Sequence, residues 1–244
     1  MHIHSIATTA AFFVVLSSLA HAHEEPAVEE DPGPWGGSVS FGYLGTSGNV
    51  ENSNLNGKFE VSYTSGKWVH TAAGYAINAT ESGDTTSESY GGSWKSERTL
   101  TEPNFVFGLL DYRKDRFSGF PKQFSQTVGY GRRIIDTGTH FLNGEIGAGA
   151  RQSETADGID DNGFVVRASA LYKWQFSETA AFTQDLIVEA GENNTYLESV
   201  TAINARLIGN LALVASYTIK NNSDVPIGIE KTDTFTALAL EYSF

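Results

Sequence analysis

His23, His70 and His140 are the histidines beyond the first 22 residues, and they are the first candidates for acid–base chemistry near neutral pH. A serine hydrolase needs its hydroxyl within hydrogen-bond reach of such a base. Barrel-borne lipid hydrolases meet that need with a His-x-Ser pair, but His70 is followed by Thr71-Ala72 and His140 by Phe141-Leu142. The acidic run Asp157-Gly158-Ile159-Asp160-Asp161-Asn162-Gly163 offers carboxylates, yet it brings no partner histidine for acid–base work. It also lacks the alternating ligands and closing bidentate Glu of a calcium loop. Gly91-Gly92 and the Gly147-x-Gly149 pair precede no helix that could present its N-terminus to a phosphate, and read as close packing inside strands. With no cysteine, thiol catalysis, disulfides and Cys-based zinc sites are excluded. The reading is therefore of a protein that is not an enzyme, with no catalytic residue, metal or cofactor. A net charge of −13 argues against nucleic acid as a partner.

The charges that do form a pattern are Lys58, Glu60, Glu145, Arg151, Arg167, Lys173, Asp185, Glu189, Arg206 and Glu241. They stand on the polar side of segments whose other side is apolar. Leu55, Phe59, Val61 and Tyr63 alternate with Asn56, Lys58, Glu60 and Ser62. Phe164, Val166, Ala168, Ala170, Tyr172 and Trp174 alternate with Arg167, Ser169, Lys173 and Gln175. Leu142, Ile146, Ala148 and Ala150 oppose Asn143, Glu145 and Arg151, and Leu238, Leu240, Tyr242 and Phe244 oppose Ala237, Ala239, Glu241 and Ser243. A period of two is the signature of a strand with one apolar face. No segment carries a sustained helical stripe. By the same parity His70 is expected on the polar side of its strand, and His140 just after a turn.

Turn signals divide the chain into twelve expected strands: 35–46, 53–64, 67–80, 86–99, 104–115, 122–135, 139–153, 162–176, 179–190, 195–208, 211–221 and 231–244. Each strand with its connection takes about 17 residues, suited to roughly ten-residue segments crossing a bilayer obliquely. The connections are expected to alternate: short at 65–66, 101–103, 136–138, 177–178 and 209–210, longer and more acidic at 46–52, 81–85, 117–121, 154–161, 191–194 and 222–230. That is the layout of an outer-membrane barrel with its short turns in the periplasm, and an even strand count returns both ends to that side.

The N-terminal segment agrees with export. Residues 1–22 carry no Lys, Arg, Asp or Glu, have an apolar centre from Ala10 to Leu16 and close on Ala20-His21-Ala22. This reads as a signal peptide cleaved after Ala22. Residues 23–34, with Glu24, Glu25, Glu29, Glu30, Asp31 and three prolines, read as an acidic disordered periplasmic arm. Such an arm could enter the lumen mouth and pair with Arg132 or Arg133. The barrel itself is assigned to 35–244.

A soluble β-sandwich or lipocalin-like barrel also has alternating strands. It would have to turn one face of every strand into a dry core. The ten charges above make that prohibitive, whereas a hydrated lumen receives them and leaves the apolar face to lipid. Trp35, Tyr43, Tyr63, Trp68, Trp94, Tyr172, Trp174, Tyr217 and Tyr242 then fall near strand ends, where aromatic girdles belong. The expected fold class is all-β, a transmembrane antiparallel up-and-down barrel of twelve strands. The ten charges are its pore-lining candidates.

On Trp35-Gly36-Gly37-Ser38, Gly42-Tyr43 and Thr46-Ser47-Gly48-Asn49, the chain resembles the YdiY-like family of salt-induced outer-membrane proteins. Asp111-Tyr112, Asp115-Arg116-Phe117, Gly129-Tyr130-Gly131 and Gly147-Ala148-Gly149-Ala150-Arg151 agree, as do Asn221, Pro226, Lys231-Thr232-Asp233 and Tyr242-Ser243-Phe244. The resemblance runs from Trp35 to Phe244. It implies the outer membrane of a Gram-negative bacterium and a barrel fold, with a link to salt or osmotic stress, and supplies no catalytic residue. Leu240, Tyr242 and Phe244 further resemble the C-terminal signal read by the barrel-assembly machinery, which acts on an exposed strand edge. The partners expected are that machinery, membrane lipid and lipopolysaccharide, whose phosphates the acidic run 157–163 could meet through divalent cations. The function expected is passive passage of ions or small solutes through a narrow lumen. The alternative is a non-conducting envelope protein that binds a partner through its loops or arm.

Overall fold

The computed structural model describes residues 33–46 and 52–244. The expected signal peptide, its cleavage site, nearly all of the acidic arm and the first loop lie outside them. Twelve strands follow in chain order: β1 (Trp35–Thr46), β2 (Asn52–Ser65), β3 (Trp68–Glu81), β4 (Asp84–Thr101), β5 (Asn104–Asp115), β6 (Lys122–Asp136), β7 (His140–Glu154), β8 (Asp160–Gln175), β9 (Ala180–Gly191), β10 (Thr195–Ile208), β11 (Leu211–Asn222) and β12 (Thr232–Ser243). Each pairs antiparallel with its neighbours, and β1 with β12 closes the barrel. The all-strand, closed twelve-stranded architecture agrees with the sequence expectation, with strand ends displaced by no more than a few residues.

Closure satisfies the backbone without an open sheet edge, the condition for strands in hydrocarbon. The β1–β12 seam has the shortest register, from Ser38↔Ser243 to Phe41↔Leu240. Gly37 and Phe244 extend it by exchanging backbone hydrogen bonds of 2.9 Å in both directions.

The connections alternate less than expected. Between β3 and β4 lies only Ser82-Gly83, both with positive φ (53° and 89°). This is the conformation of a tight hairpin whose twist matches the strands it joins. Longer loops do occur on the same rim at 116–121, 155–159 and 223–231; this end is the loop rim, and the other the turn rim.

Register assigns the two faces. The outward face carries Val128, Ile146, Phe164, Leu238 and Leu240, all exposed. So continuous an apolar band is not tolerated on a protein surrounded by water. Near the turn rim it meets aromatic groups: Trp35 on Tyr63 at 4.7 Å, and His140 stacked 6.0 Å from Trp174 with its Nδ1 2.9 Å from the Tyr172 hydroxyl. His70 is also here, sandwiched between Trp68 (5.9 Å) and Trp94 (6.0 Å) and 2.9 Å from Ser96 Oγ. Its register partners Tyr63 and Ser96 share its outward parity, which corrects the expectation that it lies on the polar side. Stacking inside an interfacial aromatic belt compensates an imidazole for the loss of water on two faces.

Inside, β5 departs from the pattern. Phe105, Phe107 and Leu109 point into the barrel and form a small buried cluster. Their space comes from β6, where Gly131 and Gly129 stand directly opposite Phe105 and Phe107. A Cβ at either glycine would overlap the facing ring, so the rings lie flat across the β6 backbone.

Candidate functional site in the barrel lumen

All ten charged residues singled out from the sequence share the inward parity. Lys58 is opposite Tyr75, Glu60 opposite Ala73, and Arg167 directly opposite Glu189. Glu145 pairs in register with Ser169, Arg151 with Gly163, Lys173 with Thr183 and Asp185 with Val200. Arg206 and Glu241 both face Ala212. The structure brings only some of them into contact. Arg167 and Glu189 form an ion pair, and Glu145 and Arg151 bind groups from other elements. Lys58, Glu60, Lys173, Asp185, Arg206 and Glu241 make no ion pair among the described residues.

Two layers of charge result. Toward the loop rim, Glu189 is fully buried and its Oε1 accepts hydrogen bonds from Arg167 Nη1 at 2.7 Å and Arg113 Nη2 at 3.0 Å. Arg113 comes from β5 and reaches across the lumen, its guanidinium 4.4 Å above the Tyr196 ring of β10 and its Nε 2.5 Å from Asp111. Lys220 of β11 lies 3.8 Å from Asp115 of β5, which stands six strands away on the opposite wall. Its ammonium also sits over the Tyr75 and Phe235 rings at 5.2 and 5.3 Å. Charges withdrawn from water in this way must be paired and hydrogen-bonded to be tolerable.

The second layer is nearer the turn rim. Lys95 of β4 bridges Glu97 at 2.9 Å and Glu145 of β7, and Arg133 stands 4.0 Å from Glu97. Asn143 Nδ2 and Ser169 Oγ complete the Glu145 carboxylate at 2.9 and 3.3 Å. Lys95 lies over the Phe107 ring at 5.1 Å and Arg133 over Phe105 at 5.3 Å, so the aromatic cluster underlies the cations. Of the two arginines considered for the acidic arm, Arg133 is inward and engaged here, whereas Arg132 pairs with Asn104 and Gly144 on the outward face.

The loop rim is drawn together by Asn194. Its Nδ2 donates to Asn222 Oδ1 (2.8 Å) and its Oδ1 accepts from Asp224 N (3.2 Å), while Arg151 Nη2 donates to its carbonyl (3.0 Å). The 116–121 loop folds inward with Phe120 buried, and Ala156 N of the neighbouring loop donates to Gly119 O at 3.0 Å. Along the outside of this rim runs a cleft of about 290 Å³ lined by Lys122, Gln152, Glu154, Asp160 and Asn162, where Lys122 and Glu154 pair at 2.9 Å. At the seam, Leu240 and Tyr242 are outward and Phe244 caps Gly37.

Arg113, Lys220, Lys95, Glu97 and Tyr196 were not singled out from sequence, and Asp111, Asp115 and Arg133 were named there for other reasons, not as lumen-lining charges. The available signal was the two-residue alternation of Asp111, Arg113 and Asp115. It is concealed because β5 is apolar on both faces, with Val106 and Leu110 outside and Phe105, Phe107 and Leu109 inside. The described residues contain no cluster of His, Cys, Asp and Glu fit to hold a metal ion.

The chain is 31% identical over 225 residues to the uncharacterized protein YdiY of Escherichia coli (strain K12), covering 88% of this chain and 87% of that one. In fold it is similar to the translocator domain of the autotransporter NalP from Neisseria meningitidis, with a TM-score of 0.51 at 12% identity over 88% of this chain and 90% of that one. It is equally similar to the NanC porin, with a TM-score of 0.51 at 12% identity over 85% and 98% of the two chains. These neighbours share the membrane β-barrel fold. The model of a family described as a protein of unknown function, DUF481, matches residues 39–244, and the chain belongs to that family.

Proposed function

We propose that this barrel resides in the outer membrane and provides a narrow passive path for ions or small solutes. The observation that carries the reading is the bridging of the lumen by Arg113 and Glu189 in a barrel whose inward face carries charged side chains on most of its strands. Twelve strands about 4.8 Å apart and tilted about 40° enclose a backbone radius of roughly 12 Å. Inward side chains take about half of it. The cross-lumen bridges narrow what is left. The likeness to barrel proteins supports the placement, and the family resemblance adds a role under salt or osmotic stress. Leu240, Tyr242 and Phe244 serve assembly in this reading, and the outer cleft at Lys122 and Glu154 faces lipopolysaccharide.

A second reading, a non-conducting envelope barrel that binds a partner through its loops, is favoured by the inward-folded 116–121 loop and the Asn194 hub. Planar-bilayer recording of the purified protein separates the two. Discrete small steps, enlarged in Arg113→Ala, support the pore. A folded, heat-modifiable barrel that never conducts in either form sinks it.

A further inference from the structure

In a twelve-stranded barrel the loop rim carries six connections, and the third lies diametrically opposite the sixth. These are 116–121, between β5 and β6, and 223–231, between β11 and β12. The two nevertheless touch. A Cβ built on Gly119 would stand 2.7 Å from Val225 Cγ1 and 3.4 Å from Pro226 Cδ, so the backbone of the 116–121 strap rests directly on the far loop. A contact between opposite connections can be made only across the mouth. The strap also meets the fourth connection through the hydrogen bond from Ala156 N to Gly119 O, and Asn194 joins the fifth to the sixth at Asp224. Lys220 and Asp115 span the same diameter at the root of the strap.

Solvent exposure follows this cap. Ser89, Gln123, Ser125, Ser153 and Asn222, inward on the loop half, are buried. Lys58, Glu60, Lys173 and Arg206, inward and farther from the loop rim, are exposed. The strap is also built to move as a unit, because most of its hydrogen bonds are its own. Asp115 N donates to Pro121 O at 3.0 Å, Phe120 N to Ser118 Oγ at 3.2 Å and Phe117 N to Asp115 Oδ1 at 3.3 Å. Arg116 holds the root to Glu88, with its backbone N 3.0 Å from Glu88 O and its Nη1 3.1 Å from the carboxylate. Lifting the strap about that root breaks the Ala156 bond, the packing on Val225 and Pro226 and the burial of Phe120. Segments with so few outside contacts are the ones that open locally, and gating loops are drawn from them.

We propose that the 116–121 strap is a lid, which shuts the loop-side mouth in this structure and lifts off Val225 and Pro226 to connect the lumen with the space beyond the loop rim. That the open lid passes solute rests on the pore reading; the cap itself does not.

The chain has no cysteine, so introduced thiols report without background. Ser125→Cys, beneath the cap, and Lys58→Cys, in the exposed part of the lumen, are reacted with a charged, water-soluble maleimide in the folded, detergent-solubilised protein. Ser125→Cys is expected to react about tenfold more slowly, and Phe120→Ala to raise its rate about tenfold. Equal rates at the two positions overturn the cap. A Ser125→Cys rate unmoved by Phe120→Ala overturns the strap as the closing element. Gly119→Cys with Val225→Cys, whose Cβ atoms are adjacent across the contact, brings a disulfide within reach. Failure of this pair to oxidise in the folded barrel overturns the contact across the mouth. In planar bilayers the oxidised pair is expected to lose about tenfold in mean conductance and to regain it on reduction with dithiothreitol. Conductance unchanged by a formed disulfide overturns the lid. A barrel that conducts in neither state while Ser125→Cys stays protected overturns the pore reading and leaves the cap standing. The thiol rates need neither the cysteine pair nor conduction, so they decide even where that pair does not fold.

Discussion

Arg113 on β5 and Glu189 on β9, 76 residues apart in the chain, meet in a 3.0 Å charge-assisted hydrogen bond across the lumen. With Arg167 on the same carboxylate oxygen and Lys220 reaching Asp115 nearby, opposite walls of the barrel are tied through its interior. Backbone ladders connect only adjacent strands. These side chains are the cross-bracing that ladders cannot supply.

Glu189→Ala removes the one carboxylate shared by two buried arginines. The expected loss is about 3–5 kcal/mol, the cost of stranding a buried charge. Urea titration followed by the folded-to-unfolded gel shift measures it. The pair Arg113→Ala and Glu189→Ala should fall short of additivity by about 1 kcal/mol or more, as contacting residues do. Full additivity means that the two side chains do not interact in the membrane.

Val128 is 71% exposed on the outward face of β6. In a membrane barrel Val128→Arg costs about 2–4 kcal/mol near the bilayer midplane. Lys58→Gln, on the inward face and exposed to the lumen, should change stability by no more than about 0.5 kcal/mol. Refolding into lipid vesicles with urea titration compares the two. A harmless Val128→Arg would contradict the assignment of the faces.

Gly131 lies beneath the Phe105 ring, where a Cβ cannot be placed without overlap. Gly131→Val should destabilise by about 1–3 kcal/mol through overpacking. The same valine in a Phe105→Ala background should cost less, because the overlap has gone. A Gly131→Val barrel as stable as wild type would show that β6 does not need the close approach.

Strands, faces and several site residues are legible in the amino-acid sequence. Lys58, Glu145, Arg167 and Glu189 belong to segments with one apolar and one polar side, and successive Cβ atoms on a strand point to opposite faces. His70 is not, because its flanking residues give no clear parity, and its place among Trp68, Trp94 and Tyr63 depends on two neighbouring strands. The 81–85 connection reads as a loop because Ser82-Gly83 is flanked by polar residues; the hairpin is set by how far β3 and β4 stay paired.

By itself, the sequence determined that the chain is a twelve-stranded barrel with a polar interior, because alternation is a local property of extended backbone and needs no partner to be expressed. The tertiary structure alone decided which charges meet. Closure of β1 on β12 and the register of every intervening ladder set the height of each inward side chain, and so placed Arg113 against Glu189 and Lys220 against Asp115. It also set Arg151 of β7 against the backbone carbonyl of Asn194 beyond β9. Such encounters join residues far apart in sequence, and the electrostatic fit they require exists only once the cylinder has closed.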